Sequence, residues 1–183
     1  SKIVLPGRNL DAASVLELID SERVTFSGAV PTVWLAVASA LEAEPQRWRT
    51  QGLRCVIAGS ACPESLLRRL DAHGIRAMQA WGLTETSPIA TMSVLSPAEQ
   101  QRAASEQYPL RARQGRPVPF IDMRIVGDAG EAAWDDEALG EVHVRGPWVA
   151  QSYFRTEEAD KWTKDGWFRT GDVGTIDATG SMK

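Results

Sequence analysis

Two short runs, Leu53–Ala58 and Ile75–Ala80, are rich in apolar residues and show no strict alternation. Strands read this way when both faces are covered, as in a parallel sheet flanked by helices. Between them Pro63 opens a helical pattern with Leu66, Leu67 and Leu70 on one face, and Gly74 stops it. Strand, helix and strand over about 28 residues form a βαβ unit, and such units are parallel and right-handed. This commits the chain to an α/β architecture and also says where a site belongs. In an open α/β sheet, ligands bind outside the carboxyl ends of the strands. Here those exits are Gly59-Ser60-Ala61 and Gly82-Leu83-Thr84-Glu85.

The rest of the chain divides around this unit. Asp11–Glu22 carries Val15, Leu16, Leu18 and Ile19 at helical spacing, with Asp11 as N-cap. Val24–Ser27 reads as a short strand, Gly28-Ala29-Val30 as a turn, and Pro31 as the first position of a buried helix running from Thr32 to about Glu44. Ser96–Glu106 reads as a polar surface helix. Beyond Tyr108 the pattern changes to alternating strands, Ile121–Val126 and Glu141–Gly146, with a turn at Asp128-Ala129-Gly130. A small helix follows over Thr156–Trp162, then strands at Trp167–Thr170 and Val173–Ile176, and a hairpin turn at Ala178-Thr179-Gly180. The expected fold is therefore a parallel-sheet α/β part over residues 1–108, then a mostly antiparallel, β-barrel-like part over 109–183.

Composition narrows the function classes. With 43% hydrophobic and 24% charged residues, the 183-residue chain can build a sizeable core. A net charge of −4 with no Lys/Arg cluster argues against a nucleic-acid surface. No apolar run approaches the roughly 20 residues of a transmembrane helix, and no signal peptide is visible. The cytoplasm is the default location. Cys55 and Cys62 build no disulfide framework and, without His nearby, no metal site. Cys62 precedes a helix N-terminus, where a thiol pKa can fall, but no base is local, so it reads as a small loop residue. His143 alternates with Val142 and Val144 and is expected to face solvent.

The chemistry sits in Trp81-Gly82-Leu83-Thr84-Glu85-Thr86. Glycine lets a ligand approach the backbone. A threonine hydroxyl can bond a phosphate oxygen, and a glutamate can hold a hard cation such as Mg²⁺. Trp81 to Glu85 matches an aromatic-Gly-x-Thr-Glu motif. Gly140 to Gly146 matches Gly-Glu-x-x-x-Arg-Gly, and Trp167 to Asp172 matches aromatic-x-x-Thr-Gly-Asp. Val30-Pro31-Thr32 with Trp34, and Gly59-Ser60-Ala61-Cys62-Pro63, supply two more. With these five in order, the chain resembles the adenylate-forming superfamily of acyl-CoA synthetases, luciferases and adenylation domains. The likeness is greatest to medium- and long-chain fatty-acid–CoA ligases.

The resemblance implies roles residue by residue. Glu85 would coordinate the Mg²⁺ of ATP, and Thr84 would bond a phosphate oxygen of ATP or the adenylate. Asp172 would accept both ribose hydroxyls. Gly59, Ser60 and Ala61 would line the adenine through backbone atoms, and Trp81 would stack on it. Gly82 would let the acyl chain or carboxyl pass the backbone. Val30 and Trp34 would line the acyl pocket, whereas Arg145 is open between a site and a structural role. ATP/AMP, Mg²⁺ and coenzyme A are the implied cofactors, and a fatty carboxylic acid the substrate. Plain readings remain beside these: Trp81 as core, Thr84 as a turn former, and Asp172 as a hairpin residue satisfying its own turn. A carrier protein as acceptor, and a nucleotide-binding homologue without catalysis, also stay open, as does oligomeric state. The superfamily's phosphate loop and its C-terminal catalytic Lys match nothing in the chain. The expectation is a segment of the large N-terminal domain, inactive alone.

Overall fold

Asp11 starts the first helix as its side chain predicts: Oδ1 accepts from Ser14 N at 3.0 Å, and α1 (Ala12–Ser21) follows with Leu16 and Ile19 buried. The computed structural model describes residues 2–155 and 159–183. It divides into two units, one of Ser1–Gln79 with Leu95–Ala112 and one of Ala80–Val94 with Arg113–Lys183.

In the first unit, β1 (Phe26–Ala29) pairs in parallel with β2 (Arg54–Ile57), from Phe26↔Arg54 to Ala29↔Ile57. The strand lies two residues later than its local pattern suggests. Ladder bonding to β2 holds Gly28 and Ala29 extended where their turn preference alone would bend the chain. Pro31 opens α2 (Pro31–Ala43), its fixed φ matching a first helical turn, and this helix buries Trp34, Val37, Ala38 and Leu41. Next, α3 (Glu64–Ala72) follows Pro63 and buries Leu66, Leu67 and Leu70. Gly74 ends it at φ +72°, a conformation glycine adopts without strain. The last strand, β3 (Arg76–Trp81), pairs in parallel with β2, from Arg54↔Arg76 to Ile57↔Gln79. Cys55, Val56 and Ile57 are buried in succession, the signature of a strand covered on both faces.

The single polar helix expected over Ser96–Glu106 is two: α4 (Pro97–Gln100) and α5 (Ala104–Arg111). Ser96 and Glu99 form a capping box that starts α4. Gln107 Nε2 donates to the carbonyls of Gln100 and Arg102, satisfying the end of α4 and breaking the run. The second helix is drawn onto α3 by Asp71, which accepts from both Tyr108 Oη and the Arg111 guanidinium.

In the second unit, the last residues of β3, Ala80 and Trp81, pair antiparallel with β4 (Thr91–Met92), which pairs with β5 (Arg116–Pro117). A separate antiparallel sheet has the order β7-β6-β8-β9, built from β6 (Asp122–Gly127), β7 (Gly130–Glu131), β8 (Gly140–Arg145) and β9 (Phe168–Gly174). Met123, Ile125, Val142, Val144, Phe168 and Ile176 form its core. The closing hairpin is present, with Ile176 bridged to Met182. The chain is thus α/β with a parallel-containing sheet followed by an antiparallel β part.

Three local expectations change here. The strands expected at Trp167–Thr170 and Val173–Ile176 are one strand, β9, interrupted by a bulge. Glu141 pairs with Val173 and His143 with Arg169, so Thr170, Gly171 and Asp172 together oppose Val142 alone. His143 is buried, 3% exposed, rather than solvent-facing. It lies on an interior strand between Arg124 and Arg169, its register partners on either side, and its Nε2 meets Glu141 Oε2 at 3.1 Å. Of the helix expected over Thr156–Trp162, Thr156, Glu157 and Glu158 lie outside the described residues, and Ala159–Lys161 form one 3₁₀ turn. No described helix is long and apolar enough to cross a membrane.

Candidate active site

Beyond Trp81 the chain closes into a 3₁₀ turn over Thr84–Thr86. Thr86 is buried, and its Oγ1 accepts from Leu83 N at 2.9 Å while donating to Leu83 O at 3.0 Å. The turn-forming role that the sequence left open for Thr84 therefore belongs to Thr86. Thr84 itself is exposed beside Glu85. A Cβ on Gly82 would lie 2.1 Å from Pro88 O and 2.9 Å from Ala90 N, so the returning loop already demands glycine there.

Glu85 is anchored twice. Ala150 N donates to its carbonyl at 2.7 Å, and Tyr153 Oη donates to its Oε1 at 2.5 Å. Nothing in the pattern around Tyr153 marked it, because only folding brings it to a residue 68 positions earlier. Among the described residues no cluster of three or more His, Cys, Asp or Glu could hold a metal unaided. A single carboxylate does fit a Mg²⁺ that arrives on phosphates, since that ion keeps several waters and needs only one or two protein carboxylates.

Asp172 sits on the β9 bulge. Its Oδ2 accepts from Trp81 Nε1 at 2.8 Å, which joins the aromatic of one motif to the acid of another. Trp81 is half-buried against the core of this unit, so the indole packs on the core while its ring nitrogen bonds Asp172. The bulge is fully bonded: Thr170 Oγ1 donates to Val142 O at 2.7 Å and accepts from Asp172 N at 3.1 Å. Gly171 at φ +80° supplies the conformation the extra residues need. Asp172 is therefore an exposed strand residue aimed by a bulge, not a hairpin residue capping its own turn.

Glu141 closes the arrangement from the neighbouring strand. Its Oε1 accepts from Gly171 N at 3.1 Å, and its Oε2 from Arg169 Nε at 3.3 Å with His143 Nε2 at 3.1 Å. Partial burial raises the pKa of Glu141, but the bonds from His143 and Gly171 and the charge of Arg169 outweigh it, leaving the carboxyl below its ordinary value. Arg145 bonds Asp122 Oδ2 at 2.8 Å and lies over the Trp167 ring, contacts that make it a sheet residue.

In the first unit, the β2 exit turns at Gly59, where φ is +90° and a Cβ would lie 3.3 Å from Val30 Cγ1. Ser60 and Ala61 are exposed. The loop is held by Gln79, 1% exposed, whose Oε1 accepts from Cys62 N at 2.7 Å. A glutamine within the apolar Ile75–Ala80 run was the available signal for this anchor. Burial pushes the Cys62 thiol up to about 11 and Cys55 to about 12, so neither is an activated nucleophile. Val30 lines an apolar cavity of about 900 Å³ with Val33, Val15, Leu10 and Phe26. Trp34, at 1% exposed, lies in the core.

A family model for AMP-binding enzymes matches residues 1–154. The chain belongs to the AMP-binding enzyme family. It is 42% identical, over a 186-residue alignment covering all of the chain and 34% of the relative, to a long-chain-fatty-acid–CoA ligase of Thermus thermophilus. Likewise it is 39% identical to a medium-chain-fatty-acid–CoA ligase of Ectopseudomonas oleovorans, covering all of the chain and 33% of that relative. Among solved structures, an anthranilate CoA ligase in complex with anthranoyl-AMP superposes with a TM-score of 0.77 at 26% identity, covering all of the chain and 33% of that protein. The chain spans about a third of the length of the curated relatives it matches.

Proposed function

We propose that the protein carrying this chain is an ATP-dependent acid–CoA ligase acting on medium- or long-chain aliphatic acids. The observation that carries the reading is the Trp81–Asp172 contact in the same unit as Thr84 and Glu85. A ring edge fixed on a carboxylate offers a flat face for a base and acceptors for the two adjacent donors of a ribose. The reaction class is supported by the CoA-ligase names of the relatives, and the chain length by the long- and medium-chain substrates in two of them.

In this reading a carboxylate oxygen attacks the α-phosphorus of ATP and pyrophosphate leaves. The CoA sulfur then attacks the acyl carbonyl and AMP leaves. Asp172 accepts from the ribose hydroxyls, Trp81 packs on the adenine, and Thr84 donates to a phosphate oxygen. Glu85 would hold the Mg²⁺, which would offset charge building on the phosphates. For Gly59, Ser60 and Ala61 we propose backbone contacts to adenine. For Gly82, the contact is passage of the acyl or carboxyl group. The two buried free thiols support a reducing, cytoplasmic setting. The 183 residues alone are proposed to be inactive, because they hold no counterpart of the phosphate loop or the catalytic Lys.

The test is carboxylate-dependent ATP–pyrophosphate exchange by the full-length protein, with acids from acetate to palmitate. Exchange should peak at medium or long chains and fall at least about a hundredfold in Glu85→Gln. Exchange with no acid, or undiminished in Glu85→Gln, would remove the reading. Replacing CoA by a carrier protein in the thioester step separates the two possible acceptors.

A further inference from the structure

The Glu of the Gly140–Gly146 motif has no role in the chemistry proposed above, yet its carboxylate is fully engaged. Oε1 takes the Gly171 N–H at the centre of the three-residue bulge, and Oε2 is held by Arg169 and His143. Gly171 has φ +80°, and its peptide lies between Thr170 and Asp172, which are already tied together through Thr170 Oγ1. Thr170 Oγ1 reaches across to Val142 O, and Glu141 is the side chain that takes the N–H of the middle peptide. That peptide sets the direction of the Asp172 Cα–Cβ bond, and so the place of its carboxylate against Trp81 Nε1.

From this geometry we infer that Glu141 is a positioning residue for nucleotide recognition: it locks the Thr170–Asp172 bulge so that Asp172 faces the ribose hydroxyls. The inference rests on the ribose role proposed for Asp172. Arg169 and His143 serve it in turn, since each holds the second carboxylate oxygen and leaves the first on Gly171. A bulge without this clamp still forms, because Thr170 and Val142 remain, but its central peptide is free to rotate.

The experiment compares equilibrium binding of ATP and 2′,3′-dideoxy-ATP to the full-length protein, in wild type, Glu141→Ala, Glu141→Gln and Asp172→Ala. Wild type should prefer ATP at least about tenfold, as expected for hydrogen bonds to a charged acceptor. Glu141→Ala should lose most of that preference while binding dideoxy-ATP as wild type does, and should add nothing in an Asp172→Ala background. Glu141→Gln keeps an oxygen for Gly171 N–H and should recover part of the preference, which guards against a fold defect in the alanine variant. Full ribose preference retained in Glu141→Ala would overturn the inference. So would equal weakening of both nucleotides in both Glu141 variants, the mark of a merely structural role. No preference in wild type would instead overturn the ribose role of Asp172.

Discussion

At Gly82 the fold itself demands glycine, apart from the passage of the acyl or carboxyl group proposed for it. Pro88 O and Ala90 N occupy the space that a Cβ would need. Both are backbone atoms of the same loop, so relief requires the loop to move and Thr84 and Glu85 to move with it. Gly82→Ala should therefore slow ATP–pyrophosphate exchange by about tenfold or more and destabilise the protein by about 1–3 kcal/mol. Exchange kinetics and a thermal melt of the full-length protein would check both, and a wild-type rate would show that the loop has slack the geometry does not reveal. The same loop explains why two threonines two positions apart differ. Thr86 spends its hydroxyl on Leu83, whereas Thr84 is exposed, as the phosphate contact proposed for it requires.

Among elements, α5 is placed by one acid on another helix. Arg111, with a side chain 13% exposed, forms a bidentate pair with Asp71, and Tyr108 adds a third bond at 2.9 Å. Removing Asp71 would leave a largely buried guanidinium without its charge partner. The Asp71→Ala change should cost about 2–3 kcal/mol, toward the low end for broken buried pairs because Asp71 is 27% exposed. A urea midpoint unchanged from wild type would mean that water replaces the carboxylate without penalty. None of this is visible in the local pattern of Ser96–Glu106, where polarity suggested one continuous surface helix. The bulge in β9 was hidden for the same kind of reason. A Thr-Gly-Asp run has turn chemistry in any window of sequence, and only its pairing with β8 shows that the strand continues past it.

For the molecule as a whole, acid should act through carboxylates clamped by arginine. Arg113 bonds both oxygens of Asp136, and Thr175 adds a third bond. The Arg113 hydrogen bonds hold the Asp136 carboxyl at about 2, against an ordinary 3.8. A folded-state value below the unfolded one means the contribution is complete above about pH 4 and is lost as pH falls through about 2. The Asp136→Asn variant should melt below wild type at pH 7, with the difference shrinking between pH 4 and pH 2. A difference that persists at pH 2 would show that shape, not charge, is what Arg113 recognises.

Local chemistry was enough to determine the α/β class and most of the helix starts, but not that Ala80–Val94 groups with Arg113–Lys183 rather than with the residues before it. Burial pattern, proline and glycine act within a few residues, and those signals stay in the sequence. The same locality exposed Thr84 and Glu85 as candidates, because a hydroxyl and a carboxylate follow a strand exit, whereas Asp172 and the ring of Trp81 were marked by their resemblance to family motifs. What tertiary structure alone decided were the meetings: Trp81 with Asp172 across 91 positions, Glu85 with Tyr153 across 68, and Glu141 with Gly171 across 30. It also buried His143, which alternation assigned to solvent. Such contacts depend on strand register and on which side chains cover a face, and both are set by pairing between distant segments.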